Sequence, residues 1–135
     1  DYNRLFMILS VNSFLFGNST LSFDYYDYDK FDSSLFRKGK MLEHLRNNYN
    51  SFLSTEFKVL YEDSVSTVWL KNTEKEFIIF GLNNSEKNKQ VTIDLTELKP
   101  QYALGLLDRS MLRFEDGKTY IDFTKYQTRI FNLKR

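Results

Sequence analysis

Residues 41–84, MLEHLRNNYNSFLSTEFKVLYEDSVSTVWLKNTEKEFIIFGLNN, decide the fold. Leu42, Leu45, Tyr49 and Phe52 recur at steps of three, four and three, with Arg46, Asn47, Asn48 and Asn50 between them, which draws one apolar stripe along a helix. After Ser54-Thr55 the period becomes two. Phe57, Val59 and Tyr61 alternate with Lys58, Leu60 and Glu62, and Val65, Thr67 and Trp69 follow a turn at Glu62-Asp63-Ser64. The switch predicts a helix docked onto a β-sheet.

Downstream, the chain is a succession of short apolar runs parted by polar turns. Strands are expected at 56–62, 65–71, 76–82, 90–95, 101–107, 111–114, 119–123 and 128–133. Asp116-Gly117 supplies the positive φ angles of a tight hairpin. Pro100 stands just ahead of a strand, where its missing N–H does least harm. Short strands at near-regular spacing with no helical period favour a mainly β fold, an antiparallel β-sandwich of about eight strands.

Upstream, residues 2–11 form an apolar helix candidate, and Phe14-Leu15-Phe16 before Gly17 has the look of a brief buried strand. Residues 18–38 lose periodicity and are expected to be a long loop, crowded with Phe23, Asp24, Tyr25, Tyr26, Asp27, Tyr28 and Asp29. The cap of the organising helix falls at Ser33 or Ser34, or nearer Lys38-Gly39.

Composition removes several classes of chemistry. The 135 residues carry 41% hydrophobic side chains, 17% of all residues being aromatic, enough for a sizeable core. A net charge of +1 with both signs interspersed offers no field to concentrate nucleic acid, so no nucleic-acid partner is expected. With no cysteine and a single histidine, His44, thiolate and multi-histidine metal sites are excluded, and no metal or other cofactor is expected. Asp24, Asp27, Asp29 and Asp32 lack the glycine and closing glutamate of a calcium loop. Leu5–Phe16, between Arg4 and Gly17-Asn18-Ser19, has the outline of a secretion signal. Asn12 and Ser13 interrupt it, however, and it is shorter than the roughly 20 residues that span a bilayer, so no membrane partner is expected. The opening Asp1-Tyr2-Asn3-Arg4 has no methionine, and an excised piece of a longer protein is the expectation.

Leu45-Arg46-Asn47-Asn48-Tyr49-Asn50-Ser51-Phe52-Leu53 followed by Glu56-Phe57-Lys58-Val59-Leu60-Tyr61 resembles the end of an α-amylase-family glycoside hydrolase, where the last barrel helix runs into a C-terminal β-domain. The likeness continues through Val68-Trp69-Leu70-Lys71, Phe77-Ile78-Ile79-Phe80-Gly81, Leu82-Asn83-Asn84-Ser85 and Val91-Thr92-Ile93-Asp94-Leu95. Asn50 stands where the family often has proline. Asn12, Asn18 and Ser19 do not fit the family's last barrel strand, so no sugar-site role is carried over there.

The resemblance implies that residues 1–54 are a remnant of the last units of a (β/α)8 (TIM) barrel, comprising a helix, a short strand, a long loop and a helix, and that residues 55–135 are the C-terminal antiparallel sandwich. Retaining glycosidases hold two carboxyl groups about 5 Å apart. By resemblance these lie on earlier strands, upstream of Asp1. The function implied is therefore the C-terminal portion of an enzyme acting on α-glucans, the chain itself being structural and without catalytic residues. Its partners would be the missing barrel and, through the parent, an α-glucan or oligosaccharide. Left alone, Leu5, Phe6, Ile8 and Leu9 would lack partners and promote self-association. The alternative is a stand-alone carbohydrate-binding or protein-interaction β-sandwich module.

Tyr25, Tyr26 and Tyr28 are the candidate substrate-binding residues, because aromatic rings stack on the apolar faces of pyranoses and the neighbouring aspartates accept hydroxyl hydrogens. The competing account of this stretch is a surface loop packed on the neighbouring helix. His44, one position off the stripe, is expected to bond a neighbour, and Trp69 to sit in the core or on a sheet face. Asn18-Ser19-Thr20 and Asn83-Asn84-Ser85 match the glycosylation acceptor pattern or serve as turns.

Overall fold

The computed structural model describes residues 2–16, 33–54 and 56–135. Among these described residues two α-helices, α1 (Tyr2–Phe16) and α2 (Ser33–Asn48), are followed by a 3-10 turn, Asn50–Leu53. Eight strands come next: β1 (Lys58–Glu62), β2 (Ser66–Asn72), β3 (Phe77–Asn83), β4 (Lys89–Asp94), β5 (Tyr102–Gly105), β6 (Met111–Arg113), β7 (Lys118–Phe123) and β8 (Gln127–Lys134). They form a six-stranded sheet in the order β1-β2-β3-β8-β5-β6 and a two-stranded sheet of β4 and β7, with every pairing antiparallel. This is the expected antiparallel sandwich. The β6–β7 turn has Asp116 at φ 50° and Gly117 at φ 79°, the positive pair that Asp-Gly supplies.

The central strand β3 explains the three-layer build. Its Ile78, Ile79, Phe80 and Gly81 are all buried, so both faces of the large sheet are covered. Ile79 points inward with Val68, Leu70, Phe131 and Leu133, and meets Val91, Ile93, Ile121 and Phe123 of the small sheet. Gly81 lies where those layers approach most closely: a Cβ there would stand 2.6 Å from the Phe123 ring. Ile78 and Phe80 point the other way, with Ile130, onto Phe6, Phe14, Leu42, Leu45 and Phe52. The small sheet needs cover on one face only. Along β7, Thr119, Ile121 and Phe123 are buried while Lys118, Tyr120 and Asp122 are exposed.

Leu42, Leu45 and Phe52 of the predicted stripe are buried and Tyr49 is half-buried. Two upstream expectations are corrected. Phe14-Leu15-Phe16 is the last turn of α1 and not a strand, because Phe14 continues the four-residue steps from Phe6 and Ser10. The intervening Ser10 hydroxyl serves the helix by donating to Phe6 O at 2.7 Å. The expected loop gives up residues 33–38 to α2, which starts at Ser33, so the later cap position at Lys38-Gly39 lies inside the helix. The apolar face of α1 is also better covered than expected. Phe6 is buried and Leu5 and Leu9 pack against the same cluster, leaving Ile8, 59% exposed, as its exposed apolar member among the described residues.

Candidate functional site: the helix–sheet seam

A buried set of polar ties lies where the helices meet the large sheet. Lys71, the last but one residue of β2, stands on the face shared with Trp69 and is fully buried. Its Nζ donates to Phe14 O, at the C-terminal end of α1, and to Phe52 O, in the 3-10 turn, at 3.4 Å. It also lies 4.9 Å from the centre of the Phe14 ring. The carbonyls at a helix C-terminus have no partner within the helix and carry its partial negative charge, so an ammonium group supplies both a donor and a favourable charge. Burial pushes the Lys71 pKa down to about 8 from its usual 10.5.

The opposite charge grips the other end of the same 3-10 turn. Glu76 Oε2 accepts hydrogen bonds from Ser51 N and Ser51 Oγ, both at 3.1 Å. The β2–β3 hairpin thus holds residues 50–53 with a carboxylate at the amino end and an ammonium at the carboxyl end. Aromatic stacking closes the seam: Phe14 is stacked on Phe80 at 4.7 Å and meets Phe52 edge-on at 5.4 Å, and Trp69 is stacked on Phe80 at 5.4 Å.

Beyond the seam, the described helices no longer cover this face. Val59 is paired directly with Trp69, on the same side of the sheet, yet among the described residues no helix lies over it. Phe57 and Val59 are 46% and 45% exposed, and Phe57 meets the Trp69 ring at 5.9 Å.

The candidate substrate residues Tyr25, Tyr26 and Tyr28, with Asp24, Asp27, Asp29 and Asp32, lie outside the described residues. His44 is exposed and hydrogen-bonded to Asn48, whose Nδ2 is 3.1 Å from His44 Nδ1 and donates to His44 O at 2.7 Å. Trp69 belongs to the sheet face. Asn83 closes β3 and ties the turns beyond it: fully buried, it donates from Nδ2 to Lys87 O and Thr124 O and accepts from Ser66 Oγ, with nothing left for a glycan. Among the described residues no three of His, Asp and Glu come together as a metal site. Lys71 and Glu76 carried no signal of their own in the sequence, since Thr67 and Trp69 on the same face of β2 as Lys71 are half-buried and do not mark a closed layer.

The family model for the α-amylase C-terminal domain matches residues 55–131, the sandwich as far as the middle of β8. The chain belongs to the α-amylase C-terminal domain family. Among solved structures, it is similar to an Anoxybacillus α-amylase described as representing a new glycosyl hydrolase subclass, with 30% identity and a TM-score of 0.70 over 77% of this chain and 23% of that one. It also shares the fold of a Geobacillus thermoleovorans α-amylase solved with acarbose, at 18% identity and TM-score 0.72, over 78% of this chain and 24% of that one. A putative α-galactosidase/melibiase from Bacteroides fragilis shares the fold over 99% of this chain and 29% of that one, at 10% identity and TM-score 0.73. The chain therefore spans about a quarter of the length of these relatives. A search of curated proteins finds no match.

Proposed function

We propose that this α-amylase C-terminal domain is the non-catalytic end of a glycoside hydrolase acting on α-glucans, in which residues 1–54 are the last units of the barrel and residues 55–135 the sandwich that braces them. The observation that carries this reading is the seam. A domain whose task is to hold a barrel's final helix should bind that helix on a sheet face with both apolar area and fixed polar ties, and the Lys71–Glu76 hairpin does so. The boundary near residue 54 is then a change of element type, with one hydrophobic cluster running across it.

The uncovered strip at Phe57 and Val59 supports a further partner on the same face, the rest of the barrel. In its absence this strip and Ile8 are where copies of the chain would associate. Tyr25, Tyr26 and Tyr28 we assign to the parent's sugar-binding surface, since they belong to the segment joining the two helices that pack on the seam.

The experiment is a pair of substitutions in the full-length parent enzyme. Phe57→Asp with Val59→Asp is expected to shorten the half-life of maltodextrin hydrolysis at elevated temperature while leaving kcat at 25 °C within about twofold, because the contact braces the fold and touches no reacting atom. An unchanged half-life would remove the bracing role. A large fall in kcat with an unchanged half-life would place this face in the substrate path instead.

A further inference from the structure

A groove of about 320 Å³ runs along α2. Arg37, Lys40, Met41, His44 and Leu45 of α2 line one side of it, and Leu106, the residue after β5, lines the other. We propose that this groove, floored by the helix-bearing face of β5 and β6, seats one further amphipathic helix of the parent enzyme, acidic along both of its borders.

The floor follows from strand alternation. Ala103, Leu112 and Leu133 point into the sandwich, so their neighbours Tyr102, Leu104, Met111, Arg113, Asn132 and Lys134 stand on the helix-bearing face. The pairings set them in two rows, Met111, Leu104 and Asn132 in one and Arg113, Tyr102 and Lys134 in the next. Leu106 continues the column of Tyr102 and Leu104, because its N–H donates to Ile130 O at 2.8 Å and Ile130 belongs to the cluster under the helices. Met111 is 48% exposed and Tyr102 and Leu104 are half-buried, so the described helices stop short of this edge. The strip beyond α2 is two strands wide, about 10 Å at the usual spacing, which is the breadth of one helix lying in the layer of α1 and α2. An extended segment, about 5 Å broad, would cover half of it.

The borders of the strip are cationic. Arg37 and Lys40 stand along α2, and Arg113 and Lys134 flank Tyr102 on the sheet. Carboxylates around it are engaged within the chain: Glu43 is 3.4 Å from Lys40, Glu76 accepts from Ser51, and Asp108 accepts from Ser110 and lies 3.5 Å from Arg129. A helix that is apolar along its centre and acidic at its edges matches both the floor and the borders. A second copy of this chain matches neither border, because a two-fold dimer sets the same patch against itself and brings like charges together. The parent enzyme as the source of the helix rests on the function proposed above, whereas the width and charge of the groove do not.

The chain's three methionines supply the test. Met111 lies on the floor, Met41 in the wall at 36% exposed, and Met7 is buried at 5%. Peroxide turns an accessible methionine into its sulfoxide, and peptide mass spectrometry reads the rate at each site in the 135-residue chain and in the full-length parent. In the chain alone Met111 is expected to oxidise at least about tenfold faster than Met7, and in the parent to slow by about tenfold, toward the Met7 rate. Arg113→Glu with Lys40→Glu in the parent should return Met111 to within about threefold of its rate in the chain alone, because like charges then face each other at both borders. Arg113→Gln with Lys40→Gln, which only removes charge, takes its place if the reversal does not fold. Oxidation of Met111 as fast in the parent as in the chain alone would overturn the proposal. It would do so without touching the bracing function if Phe57→Asp with Val59→Asp still shortens the half-life, and failure of both would remove that function too. Protection that ignores the charge substitutions would overturn the acidic helix, and protection that appears in the isolated chain as its concentration is raised would give this face to a second copy.

Discussion

Replacing Phe52 by alanine removes the side chain on which the seam closes. Phe52 is fully buried among Leu42, Leu45, Phe80 and Phe14, with its ring edge-on to Phe14. Its surroundings are a β-sheet on one side and two helices on the other, so little can move to fill the space. Buried phenylalanine-to-alanine changes cost about 3–5 kcal/mol, and a rigid site with an aromatic pair lies toward the upper end. For a chain of this size that corresponds to a fall of roughly 10–20 °C in melting temperature. The assay is built in, because Trp69, the sole tryptophan, is stacked within the seam at 5.4 Å from Phe80 and 6.4 Å from Phe14. Urea unfolding followed by tryptophan fluorescence and by far-UV circular dichroism should give one transition, shifted equally in both signals. A loss under about 1 kcal/mol, typical of surface sites, would refute the placement of Phe52. Two separated transitions would refute the claim that helices and sandwich share one cooperative core.

Three further substitutions probe other parts of the same build. Lys71→Met removes a group whose pKa burial lowers to about 8, so in the wild type the unfolded chain holds that proton more tightly than the folded one. Wild-type stability relative to the variant should therefore rise between about pH 8 and pH 10.5 in urea melts, and a fall over that window would contradict the burial. Gly81→Ala places a methyl group against the Phe123 ring and should cost about 1–3 kcal/mol by overpacking, read as a lower urea midpoint. Asn83→Ala strips the donors from Lys87 O and Thr124 O. A loss of roughly 2–4 kcal/mol is expected, against a few tenths for its exposed neighbour Asn84→Ala, when both are compared by thermal denaturation.

The sandwich was legible because its physics is local. Period-two alternation marks β7, Asp-Gly marks the turn before it, and the unbroken run Phe77–Phe80 marks a strand buried on both faces. The helical stripe at Leu42, Leu45 and Phe52 was legible for the same reason. The error at Phe14–Phe16 arose because a three-residue apolar run closed by glycine fits either a strand or a helix end, and only the four-residue link through Ser10 separates them. The polar ties of the seam were not legible. Lys71 meets Phe14 and Phe52 across long stretches of sequence, and nothing in the local pattern of β2 announces partners on another layer.

The central claim is that this chain braces a glycosidase and does not perform its chemistry. Reducing-sugar release from maltodextrin by the purified 135-residue chain tests it most directly. The expected result is a rate indistinguishable from buffer, with hydrolysis appearing only in the longer enzyme that contains the paired carboxylates. Turnover by the chain alone, lost on replacing any of Asp24, Asp27, Asp29 or Asp32 by asparagine, would contradict the account and move the active centre into the segment between α1 and α2.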